Sequence, residues 1–140
     1  MKKNDAILGY TGLRVAMGMA MLTHGAARVG HIPAFVESTV KMFASSVLPA
    51  EAVRIFAWSV SPVELLIGVS ALLGLATRLG LLFGALWMAI LIFGSALIEN
   101  YSVVGIQLIY AVIFSLLLTN VRYNAVSLDR LFFKNDPQLN

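Results

Sequence analysis

Four apolar stretches, each close to the length that crosses a bilayer, constrain this chain more than any other feature. They run over about 7–27, 55–76, 79–98 and 103–119. A helix rises 1.5 Å per residue, so about 20 mainly apolar residues cross the hydrocarbon core. Hydrophobic residues make up 59% of the 140 residues and charged residues 12%, a balance that a soluble domain of this size could not bury. The sequence therefore predicts an all-α fold, an integral membrane four-helix bundle that forms a single domain over 1–140.

The start of the chain also fits a secretory signal peptide, because Lys2 and Lys3 precede an apolar run. Arg14 interrupts the apolar core that a signal peptide requires, and no clear small-residue cleavage site follows it. We therefore predict that the first stretch is retained as a membrane-spanning helix.

The basic residues near the ends of the stretches predict the orientation of the bundle. Four spans place both termini, and the turn between the second and third spans, on one side of the membrane. The basic residues of that side are Lys2, Lys3, Arg78, Arg122, Arg130 and Lys134. The charged residues of the opposite side are Arg28, Lys41 and Arg54, together with Glu37, Glu51 and Glu99. Because lysine and arginine accumulate on the cytoplasmic side, we predict a multi-pass protein of the bacterial inner membrane with both termini cytoplasmic.

The connection between the first two spans predicts a helix of its own. Its apolar residues recur at helical spacing, and polar residues take the other face. The apolar set is Val36, Val40, Phe43 and Val47, and the polar set is Glu37, Ser38 and Lys41. We predict an amphipathic helix over about 34–47 that lies on the outer surface of the membrane.

Arg14 and Glu64 are charged residues within predicted spans. A charge near the bilayer centre costs roughly 2.5–3.5 kcal/mol on insertion scales, so such residues are normally paired or functional. Their axial positions differ by only about 7 Å at 1.5 Å per residue, and we hypothesise a Glu64–Arg14 ion pair inside the bundle. The alternatives are a pair that only fixes helix register, or an Arg14 side chain that extends toward the cytoplasm. Pro62 frees a backbone carbonyl near Glu64, which favours a pocket there; the alternative is an ordinary proline kink of a membrane helix.

Further polar residues converge on the outer half of the predicted bundle. They are His24, Arg28, Glu99 and Gln107. Together with Glu64 they could frame a polar cavity open to the outer side. Structural explanations exist as well, with His24 as an interfacial histidine and Arg28 as an anchor for lipid head groups.

The absence of cysteine limits the chemistry of the chain. Disulfides and iron–sulfur ligation need a sulfur that the sequence lacks. Two histidines are too few for a haem pair or a zinc site, so we predict no metal site and no covalently bound cofactor. Ten basic residues spread thinly beside apolar runs argue against a nucleic-acid partner. The expected partner is the lipid bilayer.

Three segments of the sequence resemble the DoxX family. Leu13-Arg14, then Gly18, then His24–Arg28 resembles the signature of the family's first helix, although Arg28 stands where lysine is more common. The run from Glu64 through Arg78 is similar to its second helix and turn, and Ser127–Leu131 to its usual ending. The resemblance implies a four-helix inner-membrane protein linked to quinone-dependent redox chemistry, in a family that includes a subunit of thiosulfate:quinone oxidoreductase and members tied to sulfur metabolism and oxidative stress.

Mapped onto this chain, the resemblance implies site residues. Arg14, His24, Arg28 and Glu64 would lie nearest a quinone head group or a small anionic substrate. If a quinone binds, Glu64 could accept or supply protons and His24 could donate a hydrogen bond to a carbonyl oxygen. Gln107 would share the outer-half cavity with them.

Three hypotheses for function follow, and whether the protein is itself an enzyme stays open among them. The first is a membrane subunit that binds a quinone and works with a redox partner protein. The second is a non-catalytic anchor or assembly protein for such a partner. The third is a small proton-coupled transporter, against which the sequence shows no inverted repeat. Small-residue spacings such as Gly80 and Gly84 also permit a homo-oligomer.

Overall fold

The computed structural model describes residues 2–132, so Lys134 of the orientation argument lies outside the described residues. Within that range the chain is helical and contains no strand. The helices are α1 (Lys3–Val29), α2 (Ile32–Met42), α3 (Ala50–Leu73), α4 (Thr77–Leu97), α5 (Tyr101–Thr119) and α6 (Leu128–Phe132), with a 3-10 turn at Val121–Tyr123.

Four of these helices, α1, α3, α4 and α5, are long and apolar enough to cross a membrane. The predicted all-α membrane bundle with a further helix between the first two spans is therefore confirmed. The start of α1, the α3–α4 turn and α6 lie at one end, which we call the α6 end. The opposite end, called the α2 end, carries α2 and the α4–α5 turn. The most extensive packing is that of α1 against α3 and of α4 against α5.

Glycines bring α1 and α3 into backbone contact. A Cβ atom added to Gly18 would lie 2.6 Å from the amide nitrogen of Leu72, and one added to Gly68 would lie 2.5 Å from that of Leu22. Real side chains do not tolerate such distances, and small residues at these positions are what allows membrane helices to approach so closely. This contact fixes the register of α1 against α3.

The small residues of α4 are used inside the bundle. A Cβ atom on Gly84 would lie 2.5 Å from the ring of Phe114 in α5, and one on Gly80 would collide with the Ser70 side chain in α3. Gly80 and Gly84, whose spacing is compatible with an oligomer, thus make close contacts within one chain. Homo-oligomerisation remains a prediction.

The helix bounds differ from the predicted ones for identifiable reasons. The second span was predicted to reach residue 76, but α3 ends at Leu73 because Gly74 adopts a left-handed conformation with φ of 65°. Only glycine takes this conformation without strain. The helix begins directly after Pro49, since proline is compatible with the start of a helix.

The helix between the first two spans is shorter and more closely packed than predicted. It ends at Met42 rather than near 47. Its apolar side packs against α3 and buries Val36 to 1% exposure. Glu37, on its polar side, forms an exposed ion pair with Arg54 of α3. α2 therefore packs onto the bundle through α3, and its position at the membrane surface stays a prediction.

The hypothesised Glu64–Arg14 ion pair is wrong. Arg14 is 2% exposed and lies toward the α6 end, where its Nη1 donates to the carbonyl of Ala71 at 2.7 Å and its Nη2 to that of Val126 at 2.7 Å. The last carbonyls of a helix lack partners within that helix. Because α3 ends just beyond Ala71, Arg14 satisfies a free carbonyl of α3 and does not meet Glu64.

A second buried contact completes the α6 end. The carboxylate of Asp129 accepts hydrogen bonds from the amides of Ala76 at 2.6 Å and Thr77 at 2.8 Å. These amides begin α4, where a helix has unpaired N–H groups and a partial positive charge. Asn124 also donates to the Thr77 hydroxyl at 3.0 Å. The segment after α5 is thereby fastened to the α3–α4 turn.

Candidate functional site

A mainly apolar cavity of about 440 Å³ lies at the α2 end, enclosed by α2, α3, α4 and α5. Its apolar wall is built chiefly from Phe35, Met42, Phe43, Val53, Phe56, Val60, Ile90, Leu91, Phe93 and Val103. Its polar lining includes Arg28, Thr39, Glu64, Ser95, Asn100 and Gln107. Of these lining residues, Ile90 and Phe93 are 49% and 61% exposed on the outside of the bundle. Both residues belong to α4, a candidate membrane span, so lipid could reach this edge of the cavity.

The charged part of the lining is an ion pair between Arg28 and Glu64. The Glu64 side chain is 6% exposed and that of Arg28 26%. Arg28 lies in the last turn of α1, where the helix dipole favours a cation, and it also donates to the His24 carbonyl at 3.1 Å. The pair neutralises a carboxylate that would otherwise be costly within the membrane.

The partner of Glu64 is set by helix packing. Gly25 of α1 lies against α3, and a Cβ atom there would lie 2.9 Å from the carbonyl oxygen of Ser61. Arg28 and Glu64 each lie within one turn of this contact. The close approach of the two backbones brings their side chains together.

Phe35 of α2 contacts the ion pair from the side of the cavity. The guanidinium of Arg28 lies 4.9 Å from the centre of the Phe35 ring, a cation–π geometry. Phe35 was not among the predicted site residues, because the apolar residues that predict this helix begin at Val36. The signal that could have found it is the recurrence of Phe35, Thr39 and Met42 at helical spacing, since all three line the cavity.

Gln107 of α5 brings an amide to the cavity. Its Oε1 atom is buried and accepts no hydrogen bond from the described residues. Asn100, in contrast, uses its side-chain oxygen to accept from the amide of Val103 at 3.4 Å. Buried polar atoms are normally paired, so the Gln107 amide is the polar group of the cavity best placed to bind a guest.

His24 and Arg14 lie outside the cavity lining. His24 is exposed, with its Nδ1 atom 2.7 Å from the carbonyl oxygen of Ala20 and its ring edge-on to Tyr110 at 6.1 Å between centroids. Arg14 belongs to the α6 end. Glu99 lies in the α4–α5 turn with φ of 55° and does not line the cavity either. Of the predicted site residues, the structure brings together Arg28, Glu64 and Gln107.

The arrangement suits one kind of guest. The apolar walls match a lipophilic body, and the polar groups could meet a polar head through hydrogen bonds. Between residues 2 and 132 no group of three histidine, aspartate or glutamate residues is placed to hold a metal ion.

The fold and the cavity define an integral membrane helical bundle with an interior apolar site. The DoxX family model matches residues 9–97, more than half of the chain, and the protein belongs to the DoxX family. The matched region runs from α1 through α4, so Gln107 and the Ser127–Leu131 segment lie beyond it. No curated protein and no solved structure matches the chain.

Proposed function

We propose that the cavity binds a quinone, and that the protein is the quinone-binding membrane subunit of a redox system. The observation that carries this proposal is the cavity itself, which combines apolar walls with the Arg28–Glu64 pair and the Gln107 amide. A quinone combines an isoprenoid tail with a polar carbonyl-bearing head. Its tail would lie along the phenylalanine-lined wall and its head near Arg28.

Each polar residue would have a distinct role. The Arg28 guanidinium and the Nε2 group of Gln107 are hydrogen-bond donors that could hold a carbonyl oxygen of the head, and the unpaired Gln107 Oε1 atom is an acceptor suited to a hydroxyl of the reduced quinone. The Glu64 carboxylate could hold and pass a proton. A bound quinone supplies an acceptor for two electrons and two protons, and a partner protein would deliver the electrons. Arg14 and His24, which the resemblance placed near the head group, do not line the cavity and have no role in the proposed site.

The ion pair also favours a neutral head over an anionic substrate. Glu64 already compensates the charge of Arg28, so an anion entering the cavity would have to displace a buried carboxylate. A neutral carbonyl needs only one N–H group of the guanidinium that is not used by Glu64, and a guanidinium has five N–H donors.

The orientation and location of the protein form part of the proposal. The excess of lysine and arginine at the α6 end supports a cytoplasmic position for that end in a bacterial inner membrane. The cavity, at the α2 end, would then lie in the outer half of the bilayer. A quinone would enter it laterally from the membrane.

The test is the quinone content of the gently purified protein. We expect near-stoichiometric quinone in a solvent extract of the wild type. Glu64→Gln should lower it about tenfold, because the Arg28 guanidinium that holds the head loses the carboxylate that positions it. Glu51→Gln is the matched control, because it removes an exposed carboxylate that does not line the cavity. Quinone in the wild type no higher than in an unrelated four-helix membrane protein would overturn the proposal, and would turn attention to the anchor hypothesis.

A further inference from the structure

A second cavity, of about 790 Å³, lies at the α6 end and has a basic lining. Its residues come from three places in the chain: the first turns of α1, the 3-10 turn after α5, and the segment through α6. They are Lys3, Ala6, Ile7, Arg122, Tyr123, Ala125 and Arg130. We call this cavity the basic pocket.

The basic pocket concentrates positive charge. Among the described residues that line it, Lys3, Arg122 and Arg130 are cations and none carries a carboxylate. Two of the described acidic residues close to these cations in sequence bind other groups. Asp129 is 5% exposed and accepts from the α4 amides, and Asp5 accepts from the Lys2 amide at 3.3 Å.

The cations of the basic pocket surround an apolar floor. Ala6 is 8% exposed, and Ile7 and Tyr123 are half-buried. The guanidinium of Arg122 lies 4.9 Å from the centre of the Tyr123 ring, which holds the charge beside that floor. The pocket therefore presents cations next to apolar surface.

The level of the basic pocket in the membrane follows from its helices. Lys3 is the first residue of α1, and Arg122 lies three residues after the end of α5. Both helices are candidate membrane spans, so their shared end lies where lipid head groups begin. A basic cavity between helix ends at that level has the chemistry that binds anionic head groups.

We propose that the basic pocket binds the phosphate of an anionic phospholipid, with the start of the lipid's apolar portion against Ile7 and Tyr123. The cations contact the phosphate oxygens, for which guanidinium groups are well suited. The pocket lies at the opposite end of the bundle from the quinone cavity. The inference therefore stands independently of the proposed function.

The test compares lipids and variants in detergent. Phosphatidylglycerol and phosphatidylcholine are titrated separately into the purified protein, and retained lipid is counted by native mass spectrometry beside the thermal unfolding midpoint. We expect phosphatidylglycerol to be retained and to raise the midpoint by a few degrees, with phosphatidylcholine having little effect. In Lys3→Gln/Arg122→Gln, phosphatidylglycerol should bind roughly 30-fold more weakly, at about fivefold per basic residue.

The matched control is Lys2→Gln/Lys41→Gln, which loses the same charge at residues that do not line the pocket. Lipid binding should be unchanged there, and an equal loss in both variants would overturn the proposal. If the double variant does not fold, Lys3→Gln alone should still show about a fivefold loss, and an unchanged affinity would refute the site. Inorganic phosphate tests the source: stabilisation equal to that by phosphatidylglycerol would overturn the lipid as the ligand.

Discussion

Arg28 of α1 pairs with Glu64 of α3 at one end of an apolar cavity, and the two partners differ in exposure, at 26% and 6% of their side chains. The pair is therefore asymmetric. Arg28 also has the His24 carbonyl and the Phe35 ring as neighbours, so it retains favourable contacts without Glu64. Among the described residues, the charged hydrogen-bond partner of Glu64 is Arg28.

This asymmetry predicts unequal costs for the two single substitutions. Arg28→Gln leaves a buried carboxylate without its cation, and should lower stability in detergent by roughly 3–5 kcal/mol. Glu64→Gln should cost clearly less, and Arg28→Gln/Glu64→Gln should be more stable than Arg28→Gln alone. Denaturant unfolding of all three variants measures these differences. A double variant that equals the sum of the single losses would contradict a direct pair.

The glycine contacts predict which glycines can be enlarged. Gly18→Ala and Gly68→Ala place a methyl group against the opposite backbone and should each destabilise the bundle by about 1–3 kcal/mol. Gly9→Ala and Gly12→Ala provide the control, because nothing lies within 4 Å of an added Cβ atom there. The thermal unfolding midpoint separates the two groups. Similar midpoints for all four variants would argue against close packing of α1 on α3.

Gln107→Leu should separate binding from stability. The Gln107 Oε1 atom makes no hydrogen bond with the described part of the protein, so its removal costs no contact within the bundle. We expect unchanged or slightly higher stability, together with a fall in retained quinone of about five- to tenfold, the value of one hydrogen bond. Leu108→Ala, at a position 49% exposed on the same helix, should leave retained quinone unchanged. Full retention in Gln107→Leu would remove Gln107 from the site.

Arg14→Gln should lower stability and leave quinone binding unchanged. The substitution leaves the carbonyls of Ala71 and Val126 without a donor and should lower stability by about 1–3 kcal/mol. Because Arg14 lies away from the cavity, the quinone bound per folded molecule should not change. Extraction and unfolding measured on the same preparation check both parts. A selective loss of quinone at full stability would return Arg14 to the site.

Much of the fold could be predicted because it depends on the order of apolar and polar residues along the chain. Four apolar stretches of sufficient length determine the spans, and the helical spacing of Val36, Val40 and Phe43 indicates an amphipathic helix between two of them. Neither pattern shows what the amphipathic helix covers. That depends on α3 and α4, which supply the apolar wall beneath it.

The partner of Glu64 could not be predicted in the same way. Arg14 and Glu64 match in depth, but depth leaves open which way each side chain points around its helix. That direction is set by the glycine contacts between α1 and α3, where backbone meets backbone at Gly18 and Gly68. The end of α3 at Gly74 then leaves a carbonyl for Arg14 to bind. Both features need three-dimensional packing to become visible.

The contact of Asp129 with the start of α4 has a consequence for the order in which the protein is assembled. The carboxylate lies 53 residues after Ala76 in the chain, so it leaves the ribosome only after α4 and α5 have been made. Until then the first amides of α4 and the guanidinium of Arg14 lack the partners that the later segment supplies. The contacts that close the α6 end can therefore form only after the segment that follows α5 has been made.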